Sequence, residues 1–526
     1  LGPVRARHVR ATRSVGLHRL GFGGTLSADL VVRGATVYDG SGGAGRVADV
    51  AVRRQRIATV GDLSTERAGV EIDARGLALA PGFVDVHAHD DFAVFQMPRM
   101  EFKVCQGVTT DVVGNCGFGA APMRVSEHAM ALFGAEELRG MLPDCQRHEE
   151  YLDAIDAEPP SLNVAVLVGH GTIRFDAVHD GRGRRSPSGA ELKRMVGTLG
   201  DALAAGCVGY STGLMYEPGR YSTTDELVTL AHVMAAEGGI YATHMRNESD
   251  RLLEAVTEAV AIGHAGGVPV QISHHKASGR GVWGLVGASL ALIDDARARG
   301  TDVTADQYPY TAGSTSLAAV VQNHEDASAG LGTTDWSVVV VASAPGHPDW
   351  EGSSVAQLAH EFGVGEDDAA RKVVEAEGYA AAVVIHSMSE DDVRTVMAHP
   401  TTMIGSDGLP TPGGRPHPRL YGTFPRVLGR YVRDERVLSL EQAVHRMTGM
   451  PAAKFGLVGR GVIEAGAWAD LVLFDPATID DVATYESPRQ HPTGIRGVWV
   501  NGTRVVRDGV HTGERPGRAV RRGQAG

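Results

Sequence analysis

The sequence predicts an α/β fold: a (β/α)8 TIM-like barrel, with a small β-domain built from both chain ends and an inserted subdomain. Three observations predict it. The middle of the chain alternates short apolar runs with amphipathic helical stretches. Both ends are instead rich in short β-branched runs broken by Gly and Asp turns. One stretch between two expected strands, about 311–398, is too long for a simple crossover.

The elements follow in chain order. Residues 1–28 carry Arg5, Arg7, Arg10, Arg13 and Arg19 and no acid, and read as a disordered basic tail. From Asp29, DLVVRGATVYDG and ADVAVRRQRIATVGD are strand-like, and GVIEAGAWADLVLFDP and GIRGVWVNGTRVV repeat that texture near the other end. The expected β-domain is therefore 29–80 plus 456–512, around a barrel at 81–455. Barrel strands are expected at 83–87, 108–113, 164–168, 207–210, 240–244, 269–273, 302–306 and 402–406. Helices fall between most of them. In SGAELKRMVGTLGDALAAG, Ser188 and Glu191 have capping-box spacing, Leu192, Met195, Val196, Leu199 and Leu203 form one apolar stripe, and Gly206 is a stop. Thr223 with Glu226, and Ser439 with Gln442, repeat the start signal. The stretch 311–398 reads as an insert covering the catalytic end of the barrel. Residues 513–526 read as a second disordered tail.

Composition narrows the function. The 526 residues are 43% hydrophobic and 21% charged, ordinary for a globular protein. A net charge of −13 argues against a nucleic-acid partner, and no apolar run is long enough to span a membrane. Four cysteines in so long a chain are no disulfide framework; they fit a reducing, cytoplasmic setting. Lysine is scarce, occurring only at 103, 193, 276, 372 and 454, so a lysine beside a site draws notice.

A parallel barrel carries its chemistry at the C-terminal ends of its strands. His87 and His89 end the first expected strand, and Cys116 follows the second. His244 ends the fifth, His274 follows the sixth, and Asp407 follows the eighth. Each alone has an ordinary explanation: a satisfied polar histidine, a small buried cysteine, an aspartate turning the chain before Gly408. Together they are metal ligands by type, gathered at one end of the barrel, and they point to a metal site.

The stretches PGFVDVHAHDD, QGVTTDVVGNCGFGAAP, STGLMYEPG, THMRNE, ISHHKASG, DQYPYTAGST and GSDGLPTPGGRPHPRLYGTF together resemble the D-aminoacylase (N-acyl-D-amino-acid deacylase) family of the amidohydrolase superfamily. The likeness runs in order from about Asp29 to Val510. HxH marks only the superfamily; Cys116, HHK and HPR are more specific. The fourth-strand segment CVGYSTG lacks the carboxylated lysine of many superfamily members, and a thiolate takes its place in this family. The resemblance implies a tightly held zinc on Cys116, His244 and His274, a weaker second site at His87 and His89, and Asp407 as general acid/base. It further implies that Lys276, Tyr308 and Arg419 grip the substrate's α-carboxylate. Zinc-dependent hydrolysis of the amide bond of N-acyl-D-amino acids is then expected, releasing a carboxylate and a free D-amino acid.

Two departures concern the substrate. WGLVG has Leu285 where some members carry an arginine, and TPGG lengthens the approach to HPR. No further cation is evident for an acidic side chain, so neutral or hydrophobic D-residues are expected over D-Glu or D-Asp. The rival readings are a cyclic-amide hydrolase resembling dihydroorotase or hydantoinase, and a non-catalytic scaffold of the same fold. His170, His275 and His386 are expected to be structural.

Overall fold

The computed structural model describes residues 28–122, 145–178, 183–325, 335–411 and 413–524. The expected basic tail lies outside them, apart from Ala28, which opens the first strand.

Eight parallel strands form the barrel wall: Phe83–Asp85, Val108–Val113, Asn163–Gly169, Gly209–Gly213, Ile240–His244, Val270–Ile272, Val303–Gln307 and Thr402–Ile404. They pair in sequence order. Side-chain alternation makes two cores from one wall. Val84, Val112, Leu167, Ala242 and Met403 cluster inside, with Phe455, Leu457 and Val520 packed among them. Phe83, Val108, Val166, Tyr241 and Ile272 belong to the larger core shared with the surrounding helices.

The fourth strand runs 209–213 rather than the expected 207–210. Its residues YSTG look like a loop because they are polar, yet each hydroxyl has a partner, that of Tyr210 donating to Leu227 O on a surrounding helix at 3.2 Å. Gly117 N donates to Ser211 Oγ at 3.0 Å, and Thr212 Oγ1 donates to Thr243 Oγ1 at 2.8 Å.

The three helix-start signals all cap helices. Glu191 N donates to Ser188 Oγ at 3.4 Å, and Ser188 N to Glu191 Oε2 at 2.7 Å, opening Gly189–Ala205. Ser439 and Gln442 make the same reciprocal pair. Thr223 accepts from Glu226 N at 3.3 Å, but the Glu226 carboxylate turns instead to His170 and Arg174.

A separate nine-stranded sheet draws on both chain ends. Its middle pairs Ala78–Pro81 antiparallel with Leu471–Phe474. The inserted region has a three-stranded sheet, in which Ala382–Ile385 lies between Gly313–Ser316 and Val339–Ser343. Leu317, Trp336, Val341, Leu358, Val373 and Val383 give it its own core. That core ends at Ile385. The helix Glu390–Ala398, expected within the insert, packs instead on the barrel helix Leu285–Ala298.

The expected second disordered tail is a correction. Residues 513–524 are packed against the barrel. Val164 N donates to Arg518 O at 2.9 Å, Val520 N to Val164 O at 2.7 Å, and Arg521 pairs with Asp153 and Asp156. Among the described residues no helix is long and apolar enough to cross a membrane.

Candidate metal centre and active site

The loop GNCGFG leaves the second barrel strand and folds back across the barrel mouth. Asn115 Nδ2 donates to Val112 O at 2.8 Å and anchors it. Gly213 ends the fourth strand without a side chain; a Cβ there would lie 2.0 Å from Cys116 O. The glycine therefore lets the cysteine backbone settle against that strand. Cys116 itself has φ 53°, and its side chain turns into the mouth.

Three imidazoles meet the sulfur. Cys116 Sγ lies 3.3 Å from His87 Nε2, 3.6 Å from His244 Nδ1 and 3.5 Å from His274 Nε2. Asp407 completes the group: its Oδ1 is 3.1 Å from His89 Nε2 and 3.5 Å from His87 Nε2. All six residues are buried. His87, Cys116 and His274 form one set of mutually close donor atoms, and His87, His89 and Asp407 form another.

The sulfur–nitrogen spacings around Cys116 fit zinc. Zinc–sulfur and zinc–nitrogen bonds of about 2.3 and 2.0–2.1 Å at a tetrahedral angle put sulfur and nitrogen about 3.5 Å apart. The Cys116–His244 and Cys116–His274 separations match that spacing. The thiol is also tuned for ligation. Burial raises its pKa, but His87 and hydrogen bonds with His244 and His274 outweigh burial and hold it well below the usual thiol value.

Two carboxylates orient the imidazoles. Asp306 Oδ1 lies 3.2 Å from His87 Nδ1 and accepts from His274 N at 2.8 Å. Glu248 Oε1 lies 2.9 Å from His274 Nδ1, and its Oε2 lies 3.7 Å from His244 Nε2. Sequence reasoning assigned neither a role, although both sit within motif stretches, THMRNE and DQYPY. Glu248 stands four residues after His244, and Asp306 lies near the end of the seventh barrel strand; those placements were the available signal.

Above the centre opens a cavity of about 760 Å³, counted to its open mouth. Lys276 and Tyr308 line it, with Phe118, Tyr216, Ile385 and Leu409, and the insert contributes Gly313–Ser316. Lys276 Nζ donates to Glu248 Oε1 at 2.7 Å and stands 5.9 Å from the Tyr308 ring centre. Burial is the largest influence and lowers the lysine's pKa, but the charge and hydrogen bond of Glu248, with Tyr308 and Asp407, together outweigh it and the net shift is upward. Arg419 is wholly buried behind this wall. Its Nη1 is 2.9 Å from Asp407 Oδ2, its Nη2 donates to Ser314 O at 3.2 Å, and its guanidinium lies over Tyr308, 4.5 Å from the ring centre. Burial raises the Asp407 pKa, yet Arg419, then His87 and His274, pull it well below the usual carboxylate range.

Three further histidines have partners outside the donor cluster. His170 Nε2 is 3.0 Å from Glu226, His275 Nε2 is 2.8 Å from Ser289 Oγ, and His386 packs edge-on to Tyr485.

Comparison with known proteins agrees with the geometry. A profile of the amidohydrolase family matches residues 70–506. Two enzymes of Alcaligenes xylosoxydans xylosoxydans, an N-acyl-D-glutamate deacylase and a D-aminoacylase, are each 42% identical over 494 residues. These matches cover 94% of this chain and 96% and 98% of the respective relatives. A crystal structure of N-acyl-D-glutamate deacylase from Bordetella bronchiseptica, complexed with zinc and a phosphonate mimic of the tetrahedral intermediate, superposes with a TM-score of 0.85. It is 41% identical, and the match covers 94% of this chain and 99% of that one. The chain belongs to the amidohydrolase family, and within it to the D-aminoacylase (N-acyl-D-amino-acid deacylase) group.

Proposed function

We propose that this protein hydrolyses N-acyl-D-amino acids at the amide bond, yielding a carboxylate and a free D-amino acid. One observation carries the reading: Cys116 Sγ lies within 3.6 Å of both His244 and His274, at the floor of a lined cavity. Cys116, His244 and His274 would hold zinc tightly, and His87 and His89 would offer a weaker second site. Bound there, zinc supplies a Lewis acid for the amide carbonyl and lowers the pKa of a water to about 7.

Asp407 supplies the proton chemistry. Its carboxylate is kept ionised by Arg419, so it can take a proton from the attacking water. It then returns that proton to the departing amine nitrogen, which leaves as a free amino group. Lys276 and Tyr308 grip the substrate's α-carboxylate from the cavity wall, and Arg419 adds positive charge from behind Tyr308 while aligning Asp407. The preference for D-substrates rests on the relatives, whose names specify them.

The substrate side chain is read by the rest of the wall. Phe118, Tyr216, Ile385 and Leu409 are apolar or aromatic, and Lys276 is the only lysine or arginine lining the cavity among the described residues. An acidic side chain would need a second buried cation. Neutral or hydrophobic D-residues therefore fit best. The test is a panel of N-acetyl-D- and N-acetyl-L-amino acids, with leucine, methionine, glutamate and aspartate side chains and added zinc. The expected result is turnover of D-Leu and D-Met derivatives. Faster turnover of the D-Glu derivative would overturn the side-chain reading, and a hydantoin hydrolysed in preference to all of them would overturn the reaction.

A further inference from the structure

Lys103 is a fully buried lysine outside the cavity, on the short helix Glu101–Val104. A lysine is seldom buried completely unless paired. Its Nζ donates to Asp85 Oδ2 at 2.5 Å and to Ser406 Oγ at 2.9 Å, and lies 3.1 Å from Asp90 Oδ2 and 3.9 Å from Asp111 Oδ1. Asp85, Asp90, Asp111 and Ser406 are likewise fully buried.

These partners flank the site. Asp85 and Asp90 bracket His87 and His89, and Ser406 precedes Asp407. They also sit where the barrel closes. The strand ladder runs from Phe83–Asp85 round to Thr402–Ile404, and those two strands share no ladder. The seam is bridged differently. Asp85 Oδ1 accepts from His87 N at 3.2 Å and from Ser406 N at 2.8 Å, while Asp407 N donates to His87 O at 2.7 Å. Ser406 Oγ donates across the seam to His87 O at 3.4 Å and accepts from Gly408 N at 3.1 Å. A carboxylate and a hydroxyl thus replace part of the missing ladder, and one ammonium holds both.

We propose that Lys103 is a positioning residue: by clamping Asp85 and Ser406 across the open seam, it fixes Asp407 against His87 and His89. It touches no substrate and acts through the register of two strand ends. Its kinetic consequence rests on the deacylase reading; its effect on the seam does not.

The test uses the full chain loaded with zinc, with Lys103→Met and Ser406→Ala. The serine variant keeps the buried charges intact, so it decides the matter alone if Lys103→Met is insoluble. Amide hydrogen exchange is followed by mass spectrometry. Peptides covering 83–91 and 402–411 should exchange at least threefold faster in either variant, while 240–244 keeps its parental rate. For the substrate the parent turns over best, kcat should fall at least tenfold with KM within twofold and zinc content unchanged. Parental exchange in both seam peptides would overturn the proposal. So would faster exchange in every barrel strand with loss of zinc, since Lys103 would then serve only general stability. Faster seam exchange with an unchanged kcat would overturn the positioning role. A parent without deacylase activity would count against the proposed function, and the exchange result would still judge the clamp.

Discussion

Cys116, His274 and Asp407 have φ values of 53°, 35° and 50°, a left-handed backbone that non-glycine residues rarely adopt. Each such residue costs on the order of 1–3 kcal/mol, and here the three carry the sulfur, a ring nitrogen and a carboxylate to one centre. Cys116→Ala keeps the same backbone demand and removes only the sulfur. The variant should fold and lose its tightly held zinc on dialysis; one zinc per chain retained by elemental analysis would contradict the ligand set. Asp407→Asn separates proton transfer from metal binding, because the amide keeps the shape and loses the base. Zinc should stay, and kcat should fall about 10²–10⁴-fold, the range for losing a general acid–base group. Near-parental turnover would remove Asp407 from the reaction. The side chains that converge at the mouth were legible from the sequence because histidine and cysteine at strand ends declare their chemistry. Glu248 and Asp306 were not, because a carboxylate beside a ligand has meaning only once its contact with the imidazole is seen.

At the scale of elements, local signals were read well where the chain satisfies itself locally. Ser188, Thr223 and Ser439 each accept from the expected backbone N–H, because a cap depends on residues three apart. Ser188→Ala should lower stability by about 0.5–2 kcal/mol and leave zinc content alone, as measured by denaturant unfolding. A loss no larger than that of a surface control would show that Glu191 and its partner Arg185 carry the helix start unaided. The fourth strand was displaced because its last three residues, Ser211, Thr212 and Gly213, have strand geometry without strand chemistry. Their hydroxyls bond neighbouring strands and loops that no local pattern reveals. The insert was legible by its length alone. Its boundary was not, because Glu390–Ala398 is amphipathic whichever body it packs on, and only the contact with Leu285–Ala298 assigns it to the barrel.

The whole molecule is tied together by segments distant in sequence, and there the sequence reading was weakest. RPGRAVRRGQAG has the composition of a loose end, since arginine and glycine supply little apolar surface. Tertiary context overrides that composition. Gly517 lies so close to the barrel that a Cβ would fall 1.9 Å from Leu162 O. Ala519 N donates to Asp156 Oδ1 at 2.9 Å, and Asn501 Nδ2 donates to Pro516 O at 2.8 Å, which joins the segment to the nine-stranded sheet as well. Val520 is buried in the same cluster as Val84, Ala165, Phe455 and Leu457. Burying a valine side chain contributes about 1.5–3 kcal/mol, and its removal also exposes the apolar neighbours it covers. The strand it leans on, Asn163–Gly169, lies beside the strand that leads into the Cys116 loop. Deleting residues 515–526 should therefore lower the thermal unfolding temperature by several degrees and speed zinc loss on heating. Restoring Val520 in a chain with Arg521→Ala should recover most of the lost stability, because the plug is apolar and the ion pairs with Asp153 and Asp156 are partly solvated. Equal unfolding temperatures for the truncated and full chains would show that the barrel floor closes without this segment.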